Sequence, residues 1–341
     1  MKAKRIVWPA PGQVEVERFD VPDLKPDQVL IQMDCTAISP GTELAWLQAK
    51  PNTSGAFPKY PGYSGCGRIL DLGSEVEALQ KSDRVIVDHC GHASHVVCSQ
   101  SGWHGQGISR IEDPAIPSEV AAFVIIASMS LQGVRKARIE LGESAGVTGL
   151  GLLGLFALQF VRLSGACPVF AIDPAADRRK LAQQMGADFC FAPDDPELAA
   201  ACEKLAGAGG LRAIIESSGA NAALQQGLLL ASPQGRVILL GCTRGVNSDL
   251  NLYQLVHKKG VSIIGAHNFV RPVHESSPGY WTTREDVNVI LALLSAGRLQ
   301  VSPMISELVN PADAPLVYRR LQERNSGLLG MVFDWRKEGS S

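Results

Sequence analysis

The residues whose types and spacing point most directly to chemistry are Gly149, Gly151 and Gly154, in G-x-G-x-x-G order, followed further along by the carboxylate of Asp173. In such a run the first glycine makes a tight turn, the second lets the backbone approach a pyrophosphate, and the third lets a helix pack close on a strand. The flanks have the character this needs. Ala145 to Thr148 is a short apolar segment, an amphipathic stretch follows the glycines, and Val169 to Ile172 is a second apolar run that ends on Asp173. Unpaired N–H groups at the start of that helix, beginning at Leu152 and Leu153, and the helix dipole both favour phosphate charge. A carboxylate at Asp173 accepts from both hydroxyls of an adenosine ribose and repels a 2′-phosphate. The stretch reads as a Rossmann dinucleotide site that takes NAD in preference to NADP.

The elements around it must place these groups at one edge of a sheet. Between Glu119 and Asn268 apolar strands alternate with helices, a pattern that gives a parallel sheet covered on both faces. Ligands on such a sheet sit outside the strand C-termini, which here adds Ser217, Ser218, Gly241 and Cys242 to the glycine loop and Asp173. Before Glu119 the chain has another character. Short alternating segments, Arg5 to Val16, Gln28 to Asp34, Asp83 to Asp88 and His92 to Cys98, lie between prolines and glycines and read as an all-β region. In the tail, Thr282 to Gly297 reads as a helix and Met331 to Trp335 as a strand that returns to the first domain.

At 341 residues the chain exceeds one core of ordinary size, so two domains are expected. A formal charge of −2 offers no phosphate-neutralising patch, which speaks against a nucleic-acid partner. Its apolar runs are too short or too glycine-rich to span a bilayer, and no charged leader with an apolar core opens it; the expectation is a cytoplasmic protein without membrane association. Its 8 cysteines show no C-x-x-C spacing and read as free thiols.

The order of pieces, with SPGTE at Ser39 to Glu43, PGYSGCG from Pro61, ARIELGES leading into GLGLLG, and then GAD, GRVILLG and KKGVSIIGAHN, resembles the medium-chain dehydrogenase/reductase superfamily across essentially the whole chain. SPGTE and YPGYSGCGRI are similar to the branch that includes bacteriochlorophyllide-type hydroxyethyl dehydrogenases and zinc-binding-dehydrogenase-like relatives. The resemblance implies an α/β protein with a GroES-like β-rich catalytic domain (1–118, returning at 270–341) split around a Rossmann doubly wound parallel sheet (119–269). It also implies a homodimer through the last Rossmann strand, Val261 to Ile264.

Members of that superfamily with a catalytic zinc carry ligands where this chain has Ser39, Gly62-Tyr63-Ser64 and Val124, so the resemblance implies a zinc-free member with no metal ligands. Ser128 falls at the position beside the nicotinamide. Tyr63 and Ser39 would then face the reacting oxygen, with Thr42 at the proton-relay position and Glu43 behind it. Tyr63 serves either as acid/base and oxyanion donor or as filler of the vacated space. A phenol near pKa 10 needs a neighbouring charge to act as a base at neutral pH, and Lys59 is the nearest cation in sequence. His89, Cys90, His92, His95, Cys98 and His104 could be read as a replacement metal site. Strand alternation would put His89 and His95 opposite Cys90, His92 and Cys98, which leaves structural histidines as the stronger reading. His267 is expected near the nicotinamide or the dimer seam. Arg178 lies over the adenine or on a solvated helix face, and Tyr280 and Trp281 line a pocket or pack in the core.

The function expected is a zinc-independent, NAD(H)-dependent oxidoreductase that interconverts a secondary alcohol, as in a sugar, polyol or glycoside, and its ketone. A zinc-free quinone or enone reductase is the alternative within enzymes. A catalytically silent dinucleotide-binding sensor or structural protein is the alternative outside them.

Overall fold

The structure, a computed structural model, describes residues 1–101, 108–207, 209–247, 249–323 and 327–339. His104 lies outside the described residues. The chain forms two compact units: Met1–Ser128 with Pro272–Ser276 and Thr282–Ser341, and Met129–Arg271 with Ser277–Trp281. Residues 119–128, expected with the second unit, fall in the first.

In the first unit, β1 (Lys2–Val7) and β2 (Glu15–Asp20) form an antiparallel hairpin. The main sheet is built on β3 (Gln28–Ile38), whose burial is nearly continuous because it has partners along both edges. It pairs antiparallel with β4 (Ser64–Leu72), which continues to β5 (Arg84–Asp88), and with β6 (His95–Ser99); β7 (Ser109–Arg110) closes that side. After β3 the chain turns directly into α1 (Pro40–Leu47), where the sequence reading had no helix. Ser39 at the N-cap with proline at the first helical position is the local cause.

α2 (Ser118–Ala121) and α3 (Val124–Ala137) lead to the second unit. There β8 (Ala145–Thr148), α4 (Leu152–Leu163), β9 (Val169–Ile172), α5 (Ala176–Gln184), β10 (Phe189–Phe191), α6 (Leu198–Ala206), β11 (Leu211–Glu216), α7 (Asn221–Leu230), β12 (Ala231–Leu239) and β13 (Ser262–Gly265) alternate as expected. The six strands are parallel in the order β10-β9-β8-β11-β12-β13. Strand order reverses between β8 and β11, and that switch point is where a doubly wound sheet binds its ligand.

The tail rejoins the first unit. α8 (Thr283–Ser295) starts where Thr282 Oγ1 accepts from the Glu285 N–H at 3.2 Å. Beyond it lie β14 (Ile305–Val309) and α9 (Ala314–Gln322), which the sequence reading passed over, and β15 (Gly330–Asp334), antiparallel to β3. α9 is a short amphipathic helix whose Val317, Tyr318 and Leu321 enter the same core as Trp8, Ile31, Met33, Phe333 and Trp335. Among the described residues no helix is long and apolar enough to cross a membrane.

Candidate active site

The glycine loop in the second unit has the geometry its spacing requires. Gly149 turns at φ +82, and a Cβ there would meet Ser218 Cβ at 2.7 Å. A Cβ on Gly154 would run into the Gly149 carbonyl oxygen, so the helix can sit this close to the strand only with glycine. Nothing lies within 4 Å of a Cβ built on Gly151, which caps α4 and leaves open space for a ligand. Leu152 and Leu153 open the helix with N–H groups that have no intrahelical acceptor.

Beside the loop is a cavity of about 500 Å³ lined by Gly149, Asp173, Pro174, Pro193, Asp194 and Ser218 among others. Asp173 is held from two sides: Oδ2 accepts from Leu150 N at 2.7 Å and Oδ1 from Ala175 N at 2.8 Å. Arg178 donates to the Leu150 carbonyl at 3.4 Å, and burial holds its guanidinium below the usual arginine value, so it buttresses the loop instead of lying on an open helix face.

The other expected contacts are largely used internally. Ser217 Oγ donates to the carbonyls of Thr148 at 2.9 Å and Gly149 at 2.5 Å, and Ser218 Oγ donates to the buried Glu216. Their N–H groups are bonded as well, Ser217 N to Thr148 O at 2.9 Å and Ser218 N to Glu216 Oε1 at 2.8 Å, so these serines chiefly shape the glycine loop. Cys242 is exposed, next to Gly241, whose backbone packs on that of Gly219. His267 caps a short turn, Nδ1 accepting from Phe269 N at 3.2 Å. Trp281 lies under the Arg135 guanidinium at 3.7 Å and lines a cavity of about 430 Å³ with Arg138, while Tyr280 is 48% exposed.

In the first unit, α1 presents Ser39, Thr42 and Glu43. Ser39 is buried and its hydroxyl makes no cap bond to the helix. Thr42 is half-buried. Glu43 departs from the expected role: it is 3% exposed and its carboxylate is enclosed by donors, so it positions other groups and does not meet a substrate. Oε1 accepts from Ser39 N at 2.9 Å, and Oε2 takes His92 Nε2 at 3.1 Å and the Tyr318 hydroxyl. On the far side of the imidazole, Nδ1 meets Thr36 Oγ1 at 2.8 Å, and Thr36 also accepts from Trp335 Nε1 at 3.0 Å. The Nε2–H tautomer of His92 satisfies every member: Trp335 donates to Thr36, Thr36 to His92, and His92 to Glu43. Burial, and then the Glu43 carboxylate, push the Tyr318 phenol well above its usual range. Ser128 is also buried, its hydroxyl donating to Ile125 O at 2.8 Å.

Tyr63 sits at the edge of β4. Its segment is laced to residues 89–92 by backbone bonds from His92 N to Pro61 O (2.6 Å), Gly91 N to Gly62 O (3.0 Å) and His89 N to Tyr63 O (3.0 Å). The approach is so close that a Cβ on Gly62 would meet His92 N at 2.6 Å. The sequence reading ended one strand at Asp88 and began the next at His92, yet sorted the side chains of 89–98 by strand alternation; in the structure the second strand starts only at His95 and residues 89–92 turn, with His89 at φ 52. Alternation therefore does not sort these side chains. His89 lies beside Tyr63, ring centroids 6.1 Å apart, and His92 turns into the core. The Lys59 ammonium stands over the Trp46 ring at 4.1 Å and donates to Ser54 Oγ at 3.3 Å. The sequence reading thus missed His89 and Asp88 as neighbours of Tyr63; the Asp-His pair at a strand end, just before a glycine, was the available sign.

These donors do not suit a tetrahedral zinc, which takes thiolate, imidazole and carboxylate ligands. Ser39 brings a hydroxyl and Tyr63 a phenol, Ser64 Oγ is bound to Ala122 O at 2.5 Å, and Val124 is apolar and buried. Glu43 and His92 are already bound to each other. Among the described residues no group of three His, Cys, Asp or Glu side chains is placed to hold a metal.

A doubly wound sheet with an intact dinucleotide loop, in one chain with an antiparallel sheet carrying Ser39 and Tyr63, defines the class of two-domain nicotinamide oxidoreductases. Comparison with known proteins agrees. Residues 25–113 match the alcohol dehydrogenase GroES-like domain and residues 153–277 the zinc-binding dehydrogenase family. The chain is 29% identical to L-threonine 3-dehydrogenase of Thermococcus kodakarensis over 339 residues, 90% of each chain. It is 29% identical to D-guloside 3-dehydrogenase of Escherichia coli K12 over 201 residues, 58% of this chain and 56% of that one. A Sinorhizobium meliloti 1021 protein solved with NADP bound has the same fold, with a TM-score of 0.81 at 21% identity, covering 98% of this chain and 99% of that one. The chain belongs to the medium-chain dehydrogenase/reductase superfamily of oxidoreductases.

Proposed function

We propose that this protein is an NAD(H)-dependent, zinc-independent oxidoreductase that interconverts a secondary alcohol and its ketone, with a sugar, polyol or glycoside as substrate. The observation that carries the reading is the intact dinucleotide loop; the family resemblance, which puts Ser39, Tyr63 and Val124 where zinc-dependent members carry ligands, supports a mechanism without the metal. The likeness to D-guloside 3-dehydrogenase supports the substrate class, and Asp173 on the nucleotide cavity supports NAD.

The bound nicotinamide supplies a hydride acceptor or donor. The chain's part is to bind it on the Gly149–Gly154 loop and to hold the substrate oxygen against hydroxyl donors. Tyr63 exchanges the proton at its phenolic oxygen, and Ser39 donates a hydrogen bond to the developing charge that a metal would otherwise stabilise. Thr42 stands at the relay position. The protein acts as a homodimer in the cytoplasm, paired through β13, the last strand of its sheet.

The same lack of metal donors favours, as a second reading, hydride addition to a conjugated quinone or enone, a reaction that needs little acid/base help. A screen reading NADH absorbance separates the two. We expect turnover of NAD with a polyol and sugar panel; turnover confined to NADPH with quinones would establish the second reading, and dinucleotide binding without turnover on either panel would make the protein a sensor.

A further inference from the structure

We propose that the cavity at the C-terminal ends of α3 and α4 is a second ligand site, which takes a small organic oxyanion: a carboxylate or phosphate head carried on a planar, apolar body. It does not depend on the dehydrogenase reading. The cavity holds about 430 Å³, within the range of small-molecule sites, and all its lining residues belong to the second unit. It is remote from the nucleotide loop. α4 begins on that loop and ends at Ser164, which lines the cavity, so the 12 residues of the helix put roughly 18 Å between the two.

Three observations give the ligand its chemistry. The charge comes from Arg138. Among the described residues its side chain has no hydrogen-bond or ion-pair partner, and no residue that lines the cavity is acidic. Glu140, two residues on, is exposed and stands outside the lining, and Glu143 is held by Arg212 and Arg236. A guanidinium presents a planar fork of N–H donors that meets a carboxylate or phosphate with two parallel bonds. Second, this group is placed at a conformational cost. Arg138 follows the end of α3 at φ 48, where helices ordinarily use glycine, and its guanidinium lies along Gly279, where a Cβ would meet Arg138 Nε at 3.5 Å. Third, the wall is apolar: Val134, Ile139, Pro278 and Trp281 form it, and the Arg135 guanidinium stands over the indole at 3.7 Å and holds that ring. Ser164 adds a hydroxyl at the rim. An inorganic ion would leave the apolar wall wet, and a neutral molecule would leave Arg138 without a counter-charge.

The test uses the full chain and titration calorimetry, with benzoate, phenyl phosphate, inorganic phosphate and benzamide as probes. We expect benzoate or phenyl phosphate to bind with a dissociation constant of about 1 mM or tighter, at least tenfold better than inorganic phosphate and benzamide. Whichever of the two is tighter names the head group. Saturating NADH should leave that constant within twofold, and the indole N–H of Trp281, assigned with Trp281→Phe, should shift in ¹H–¹⁵N spectra as the probe is added. Arg138→Gly removes the guanidinium while glycine accepts φ 48 without strain, so α3 keeps its end. The variant should melt no lower than wild type and bind the probe at least tenfold more weakly. A neutral or inorganic probe that binds as well as the better organic anion overturns the ligand class. Competition with NADH, undiminished binding by Arg138→Gly, or no binding of any probe overturns the site.

Discussion

His92 Nε2 lies 3.1 Å from Glu43 Oε2, deep in the first unit, with the side chains 0% and 3% exposed. The pair joins α1 to the 89–92 turn, and through Tyr318 and Trp335 it fastens both to the returning tail. Because Glu43 also holds the Ser39 N–H, it sets the angle at which α1 presents Ser39 and Thr42. Glu43→Ala would strand three buried donors, and we expect a loss of about 3 kcal/mol or more in urea unfolding, with a smaller loss for Glu43→Gln, which keeps one acceptor. A loss under about 1 kcal/mol would show that this network does not fix the helix.

The glycine loop separates folding from binding. Gly154→Ala places a methyl against the Gly149 carbonyl and should lower the melting temperature sharply, whereas Gly151→Ala meets nothing in the protein and should melt with the wild type. The same Gly151→Ala change puts its methyl where a pyrophosphate approaches, so NADH affinity should fall at least tenfold, about 1.4 kcal/mol, by titration calorimetry. Unaltered NADH affinity would move the phosphates off this loop.

Asp173 bears on nucleotide choice. We expect Asp173→Ser to weaken NADH and to reduce the preference for NADH over NADPH about tenfold or more, read as the ratio of the two dissociation constants. A wild-type protein that binds NADPH as tightly as NADH would contradict the assignment of NAD.

Glu216 at the end of β11 is buried, and that burial raises its carboxyl above the usual range, against hydrogen bonds from Ser218 and Gly219 that lower it. A carboxyl raised by folding binds its proton more tightly in the folded chain than in the unfolded one. Its contribution is therefore complete below the ordinary carboxylate value of about 4.3 and is lost as pH rises through the folded value. Urea midpoints of Glu216→Gln should rise relative to wild type as pH climbs through that window. Curves that stay parallel would mean that Glu216 is not raised.

Metal removal tests the hydroxyl site. Prolonged chelation followed by desalting should leave turnover unchanged, and elemental analysis of the purified protein should find zinc well below one per chain. Activity that disappears with chelation and returns with zinc would overturn the zinc-independent reading.

Sequence alone determined the dinucleotide half of the protein: the three glycines, the apolar strands on either side and Asp173 are contiguous, and their roles follow from backbone sterics and helix electrostatics that act over one βαβ unit. Only tertiary structure decided which polar groups work together. Glu43 meets Tyr318 from 275 residues away, Thr36 meets Trp335 from 299, and neither partner stands in a local motif. His89 came to Tyr63, and Lys59 went to Trp46, because backbone bonds between residues 61–63 and 89–92 turned the chain out of the strand that simple alternation had assumed. Periodicity reports which face a residue takes while an element lasts; where the element ends, the partners are chosen by packing between distant segments.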